Sequence, residues 1–154
     1  MSPENETRFQ NRFAVNKLRD ILILIGAFDE LMNVLSNEDL RELENNNIYF
    51  AGFYAPAGEF SFTPASLAQI RFIVLEIHTL RKFISSEVVA IILHEIGHAL
   101  AGNRDENVAD SYACSRGLKR YLLSGLRRGL ELKLEGFSSS DVMQRVEYIN
   151  LNYK

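Results

Sequence analysis

Residues 85–101 read Ser85-Ser86-Glu87-Val88-Val89-Ala90-Ile91-Ile92-Leu93-His94-Glu95-Ile96-Gly97-His98-Ala99-Leu100-Ala101. The stretch has a serine pair suited to an N-cap, an acidic residue in the first turn and no helix breaker before Gly97, so it predicts a long helix. Projected on a helix, Val88, Ile92, Ile96 and Ala99 spread over one broad apolar arc, with Val89, Leu93 and Leu100 beside them. His94 and His98 fall on the opposite side, flanked by Ala90, Gly97 and Ala101. Two histidines four apart on a helix are separated by roughly 6 Å along the axis and about 40° in azimuth. Both imidazoles then reach one zinc ion, with the intervening Glu95 beside the water on the metal. The small residues around them leave room for the ion and for a second helix.

That second helix is written just downstream. Gly102-Asn103 stops the first helix and Asp105 is placed to cap the next. Glu106 opens it, followed by Ala109, Asp110 and Ala113 at i+3, i+4 and i+7, so both acids share a face with two alanines. A catalytic zinc ion wants a third protein ligand and an open fourth position. The chain has three histidines, and the remaining one, His78, lies in a strand-like segment. A metzincin pattern would need Gly at 101 and His at 104, where the chain has Ala101 and Arg104. A carboxylate is the better third ligand. Glu106 would complete a His2Glu set, and Asp110 would accept the free N–H of a ligating imidazole.

His94-Glu95-Ile96-Gly97-His98 followed by Glu106-Asn107-Val108-Ala109-Asp110-Ser111-Tyr112-Ala113 resembles the gluzincin zinc metallopeptidases, most of all the small soluble minigluzincins. A weaker echo, Ser138-Ser139-Ser140-Asp141 with Arg145-Val146, is similar to the capped helix of the HtpX-like branch without its usual proline. The strong similarity covers roughly residues 70–115, and the seven-residue connection from His98 to Glu106 is shorter than is usual in that family. The resemblance implies one catalytic Zn2+ held by His94, His98 and Glu106, with Glu95 as general base. The implied activity is a zinc-dependent peptidase, an endopeptidase, that hydrolyses peptide bonds through a Glu-activated zinc-bound water. Candidates for stabilising the oxyanion are Tyr112, Tyr121, Tyr148 and His78, and the sequence does not choose among them.

The remaining elements follow from periodicity and turn chemistry. A helix is expected over 6–25, broken at Gly26, then a helix over 27–35, and one over 37–44 capped by Ser36. Residues 48–54 and 59–63 are aromatic-rich β-prone runs around the turn signal Ala55-Pro56-Ala57-Gly58 and read as a hairpin, with 69–78 a candidate third strand or, alternatively, a helix. Helices are expected over 118–134 and 141–150. The fold expected is α+β: a mostly helical zincin-like domain with a small antiparallel or mixed sheet packed beside the H-E-x-x-H helix. It is one domain over 1–154, with N-terminal helices in 1–47, the sheet in 48–78, the zinc-binding helix pair in 85–117 and C-terminal helices in 118–154.

Bulk properties bound the alternatives. At 154 residues, with 47% hydrophobic and 24% charged residues, the chain is long enough to bury a real core. A net charge of −3 gives no global pull toward nucleic acid. The pairs Lys119-Arg120 and Arg127-Arg128 read as a solvated face. A lone cysteine, Cys114, forms no internal disulfide, and no signal peptide or membrane span is legible, so a cytoplasmic protein is expected; the resemblance implies a protein or peptide substrate. Site-2 proteases place the motif in a membrane helix, and peptide deformylase needs an upstream cysteine, so neither fits. Two other readings stay open: a non-enzymatic zinc- or protein-binding module, and a DNA-associated SprT-like protease.

Overall fold

The computed structural model describes residues 3–54 and 70–154. The chain divides into two compact units, Met1–Lys82 and Phe83–Lys154. The first contains α1 (Pro3–Gln10), α2 (Asn16–Leu24), α3 (Ala27–Val34), α4 (Asn37–Asn45), β1 (Ile48–Phe53), β2 (Arg71–Glu76) and α5 (Ile77–Leu80). The second contains α6 (Ser85–Ala101), α7 (Glu106–Cys114), α8 (Lys119–Glu131) and α9 (Ser139–Asn152). The α+β class is as expected, with helix dominant and, among the described residues, a two-stranded sheet. No helix among the described residues is long and apolar enough to cross a membrane.

In the first unit, four phenylalanines override helical periodicity. The continuous helix expected over 6–25 is two helices, because Phe13 makes a parallel bridge to Phe50. Ala14 N–H donates to the Phe50 carbonyl at 2.9 Å, and Phe50 N–H donates to the Arg12 carbonyl at 2.7 Å. These bonds fasten residues 12–14 to β1 and end the helix before Phe13. The rings of Phe9, Phe13 and Phe50 then meet at centroid separations of 5.2 to 5.5 Å, with Phe28 beside Phe9 at 5.8 Å. Ser36 caps α4 as expected: its Oγ accepts the Asp39 N–H, and the Asp39 carboxylate accepts the Ser36 N–H.

The sheet differs from expectation in its pairing. β1 pairs with β2 in parallel, Ile48 opposite Arg71 through Phe53 opposite Glu76, so the antiparallel arrangement expected for the described strands is corrected. Parallel neighbours cannot be joined by a tight turn. The turn at 55–58 and the strand expected at 59–63 lie outside the described residues. The expected strand over 69–78 ends at Glu76, whose carboxylate accepts the N–H groups of His78 and Thr79 and starts α5. His78 is therefore a short-helix residue, with its ring against Tyr54 at 4.8 Å.

In the second unit, α6 runs over the span expected and begins at Ser85 with Ile84 at the cap position. No serine side chain caps it. Glu87 does the work instead, accepting the Ile84 N–H at 3.1 Å. Its carboxylate is fully buried and also receives Ser124 Oγ at 2.5 Å and Arg128 Nε at 2.7 Å, which ties α6 to α8. Val88, Val89, Ile92, Leu93 and Ile96 are wholly inaccessible to solvent. Gly129 on α8 is needed for space: a Cβ there would lie 2.4 Å from the Phe137 ring. Cys114 is buried, and that burial, with the Asp110 charge, pushes its thiol up to about 11, so it is an inert packing residue at neutral pH.

Candidate metal centre

The approach of α7 to α6 is set by what is missing from three side chains. A Cβ on Gly97 would stand 2.8 Å from Ala109 Cα and 2.9 Å from Tyr112 Cβ, so glycine is required for the helices to come this close. Ala109 and Ala113 are fully buried on the facing side. The short connection folds tightly: Gly102 adopts φ +66°, the Asn103 side chain accepts the Asp105 N–H, and Asp105 caps α7 through the Asn107 N–H. Seven residues are therefore enough to turn Glu106 back onto the histidines.

Glu106 reaches both imidazoles at once. His94 Nε2 is 3.4 Å from one of its carboxylate oxygens and His98 Nε2 is 3.4 Å from the other. One ligand atom from each of the three residues lies within 4.8 Å of the others. Two donors each about 2.1 Å from a tetrahedral ion are themselves about 3.4 Å apart, so both histidine–glutamate separations suit a shared ion of that size. The imidazole tautomers fit as well. His94 Nδ1 donates to Asp110 Oδ1 at 2.8 Å and His98 Nδ1 donates to the Asn103 carbonyl at 3.2 Å, a tautomer assigned from these acceptors. With each Nδ1 so engaged, loss of the Nε2 proton would leave both Nε2 lone pairs facing Glu106 and available to a metal ion.

Arg145, on α9, binds this arrangement from behind. Its Nη2 and Nε donate to the two Asp110 oxygens at 2.6 and 3.0 Å, and its Nη1 lies 3.0 Å from Glu106 Oε2. Its 3.2 Å approach to His94 Nδ1 brings two donors side by side, both bound by Asp110 Oδ1. Asp110 is fully buried. Burial alone would raise its pKa, but the His94 and Arg145 hydrogen bonds outweigh that and hold it below the usual carboxylate range. The His94 hydrogen bond, with the charges of Arg145 and both histidines, pulls Glu106 down to about 2 against partial burial. His94 is raised although burial opposes it, because Asp110 and Glu106 both favour its charged form.

Comparison of the chain with protein-family models, with curated proteins and with solved structures gives no match. The functional reading rests on the geometry.

Of the residues singled out in the sequence, His94, His98, Glu106 and Asp110 come together. Glu95 is half-buried on α6, and among the described residues its carboxylate enters no hydrogen bond or ion pair. Tyr148 is linked to α7 by the contact of its hydroxyl with Ser111 Oγ at 3.1 Å, next to Asp110. Tyr112 lies under the Arg116 guanidinium, 3.3 Å from the ring centre, and Tyr121 stands on α8 near Arg120. His78 belongs to the first unit. Arg145 is the member that residue-level reasoning left without a role. Its sequence signal is a lone arginine four residues past the acid that follows the Ser138 cap, which becomes meaningful only once α9 is seen against α7.

Proposed function

We propose that the second unit carries the zinc-dependent peptidase site anticipated from the sequence, with His94, His98 and Glu106 as ligands. The observation that carries this reading is the pair of 3.4 Å approaches from two Nε2 atoms to the two oxygens of one carboxylate, with both Nδ1 atoms already bonded. A bound zinc ion there supplies Lewis acidity, lowering the pKa of water toward neutrality and polarising a peptide carbonyl. Glu95 is the proton carrier: its free carboxylate takes a proton from the attacking water and returns it to the departing amine. Asp110 fixes the His94 ring and its tautomer, and Arg145 holds Asp110 and Glu106 in register. Tyr148, whose hydroxyl meets Ser111 on α7, remains one of the four oxyanion candidates.

The same ligands would serve a non-enzymatic metal site, and Glu95 separates the two readings. Metal analysis of wild-type protein should find one zinc per chain, lost in His94→Ala and Glu106→Ala. Glu95→Gln should keep the metal and abolish cleavage of an unstructured protein such as casein. Cleavage at wild-type rate by Glu95→Gln would sink the peptidase reading, and a wild-type protein that takes up no zinc would sink the metal centre itself.

A further inference from the structure

The two basic pairs that look alike in the sequence have different fates in the fold. Arg128 turns to the buried Glu87. Arg127 turns elsewhere and, with Lys119, Arg120, Leu123, Ser124 and Lys154, lines a cavity of about 530 Å³. Lys119, Leu123 and Arg127 follow one another at i, i+4 and i+8, one stripe along α8. No acidic side chain lines the cavity. The acid that Ser124 bonds, Glu87, is buried and already matched by Arg128. Among the described residues, none of Lys119, Arg120, Arg127 and Lys154 forms an ion pair. Lys119 donates one N–H to the Tyr153 carbonyl at 2.5 Å and keeps two more.

Four cationic side chains gather around one cavity without an acidic side chain, in a chain that has 20 acidic and 17 basic residues in all. Like charges gathered without partners repel, and an anion that binds all of them removes that cost. Two arginine forks match phosphate oxygens better than isolated carboxylates. The three cations of α8 extend over about 12 Å of helix, longer than one phosphate group and suited to successive phosphates along a strand. No aromatic ring lines the cavity, so there is no platform for stacking bases. We propose that this α8 cavity binds the phosphate backbone of a nucleic-acid strand without reading its sequence. The site is separate from the metal centre and uses none of its residues.

The test is fluorescence anisotropy of the full chain with a labelled single-stranded DNA of about 20 nucleotides, titrated at several salt concentrations. If the three α8 cations each meet a phosphate, the logarithm of affinity falls with the logarithm of salt at a slope of about −2, close to a twenty-fold loss between about 50 and 200 mM. Arg120 and Arg127 are exposed, so Arg120→Gln and Arg127→Gln should fold normally. Each should flatten the slope by about 0.7, while Lys82→Gln, an exposed change elsewhere, leaves it unaltered. Absence of binding at about 50 mM salt overturns the proposal, as does a slope indifferent to Arg120→Gln and Arg127→Gln. Equal competition by a polyglutamate peptide of matched charge also overturns it, in favour of an acidic protein partner.

Discussion

Gly97 makes the centre sensitive to a single methyl group. Its missing Cβ would otherwise stand 2.8 Å from backbone on α7, and backbone does not yield as a flexible side chain does. Gly97→Ala should therefore cost about 2 kcal/mol of stability, in the range of small-to-large changes in tight packing. It should also weaken zinc binding, because Glu106 reaches the histidines only across that contact. Denaturant unfolding and a chelator-competition titration measure the two effects. Unchanged zinc affinity in a folded Gly97→Ala protein would mean that the close approach does not set the ligand geometry. Ala101, placed in the sequence beside the histidines as a second small neighbour, is exposed, so the same argument does not extend to it.

At the scale of elements, α6 is tied to its neighbours by two charged networks of opposite purpose. Arg145 joins α9 to Asp110 and Glu106 on α7, and losing its fork leaves a fully buried carboxylate with His94 alone. Arg145→Met should cost about 3 kcal/mol, as expected when one partner of a buried pair is removed. It should also lower zinc affinity about ten-fold or more by freeing the His94 and Glu106 side chains. A stable Arg145→Met protein with wild-type affinity would remove Arg145 from the site's support. The second network, Glu87 with Arg128 and Ser124, is structural. Burial pushes the Glu87 pKa up, but the hydrogen bonds from Arg128, Ser124 and Ile84 N–H outweigh it and leave the value below the ordinary 4.5. A carboxylate depressed on folding stabilises above its unfolded pKa, and that contribution is lost as pH falls through the folded value. The stability gap between wild type and Glu87→Gln should thus be full at neutral pH and shrink below about pH 4.5; a gap that stays constant on acidification would contradict the assignment.

At the scale of the whole molecule, the two units respond differently to the metal that the second is proposed to hold. A ligand that binds only the folded state stabilises it by mass action, about 2.7 kcal/mol at a hundred times its dissociation constant. Zinc should raise the thermal midpoint of the full chain, and a chelator should reverse this. Hydrogen exchange should slow most in α6 and α7, which carry the ligands, with residues 3–45 changing least. Protection concentrated in the N-terminal helices would place the metal somewhere other than His94, His98 and Glu106.

The α6–α7 pair of this second unit could be read from residues 85–113 alone. Helix periodicity, the Gly102 stop, the Asp105 cap and the small-residue face are local properties, and local chemistry decided them. The Ser36 cap of α4 and the break at Gly26 were legible for the same reason. What the sequence could not fix were pairings between distant segments. Phe13 fits a helix by spacing, yet its bridge to Phe50 splits that helix in two, because an aromatic cluster and two backbone hydrogen bonds outweigh weak helical propensity. Strand β1 could be recognised by composition, but no local signal encodes its parallel partner at Arg71–Glu76. Arg145 and Arg127 look alike as surface arginines. Tertiary structure alone sends one onto a buried carboxylate and leaves the other beside a cavity lined by cationic side chains, because a charge acts through the groups folding brings near it, not through its neighbours in the chain.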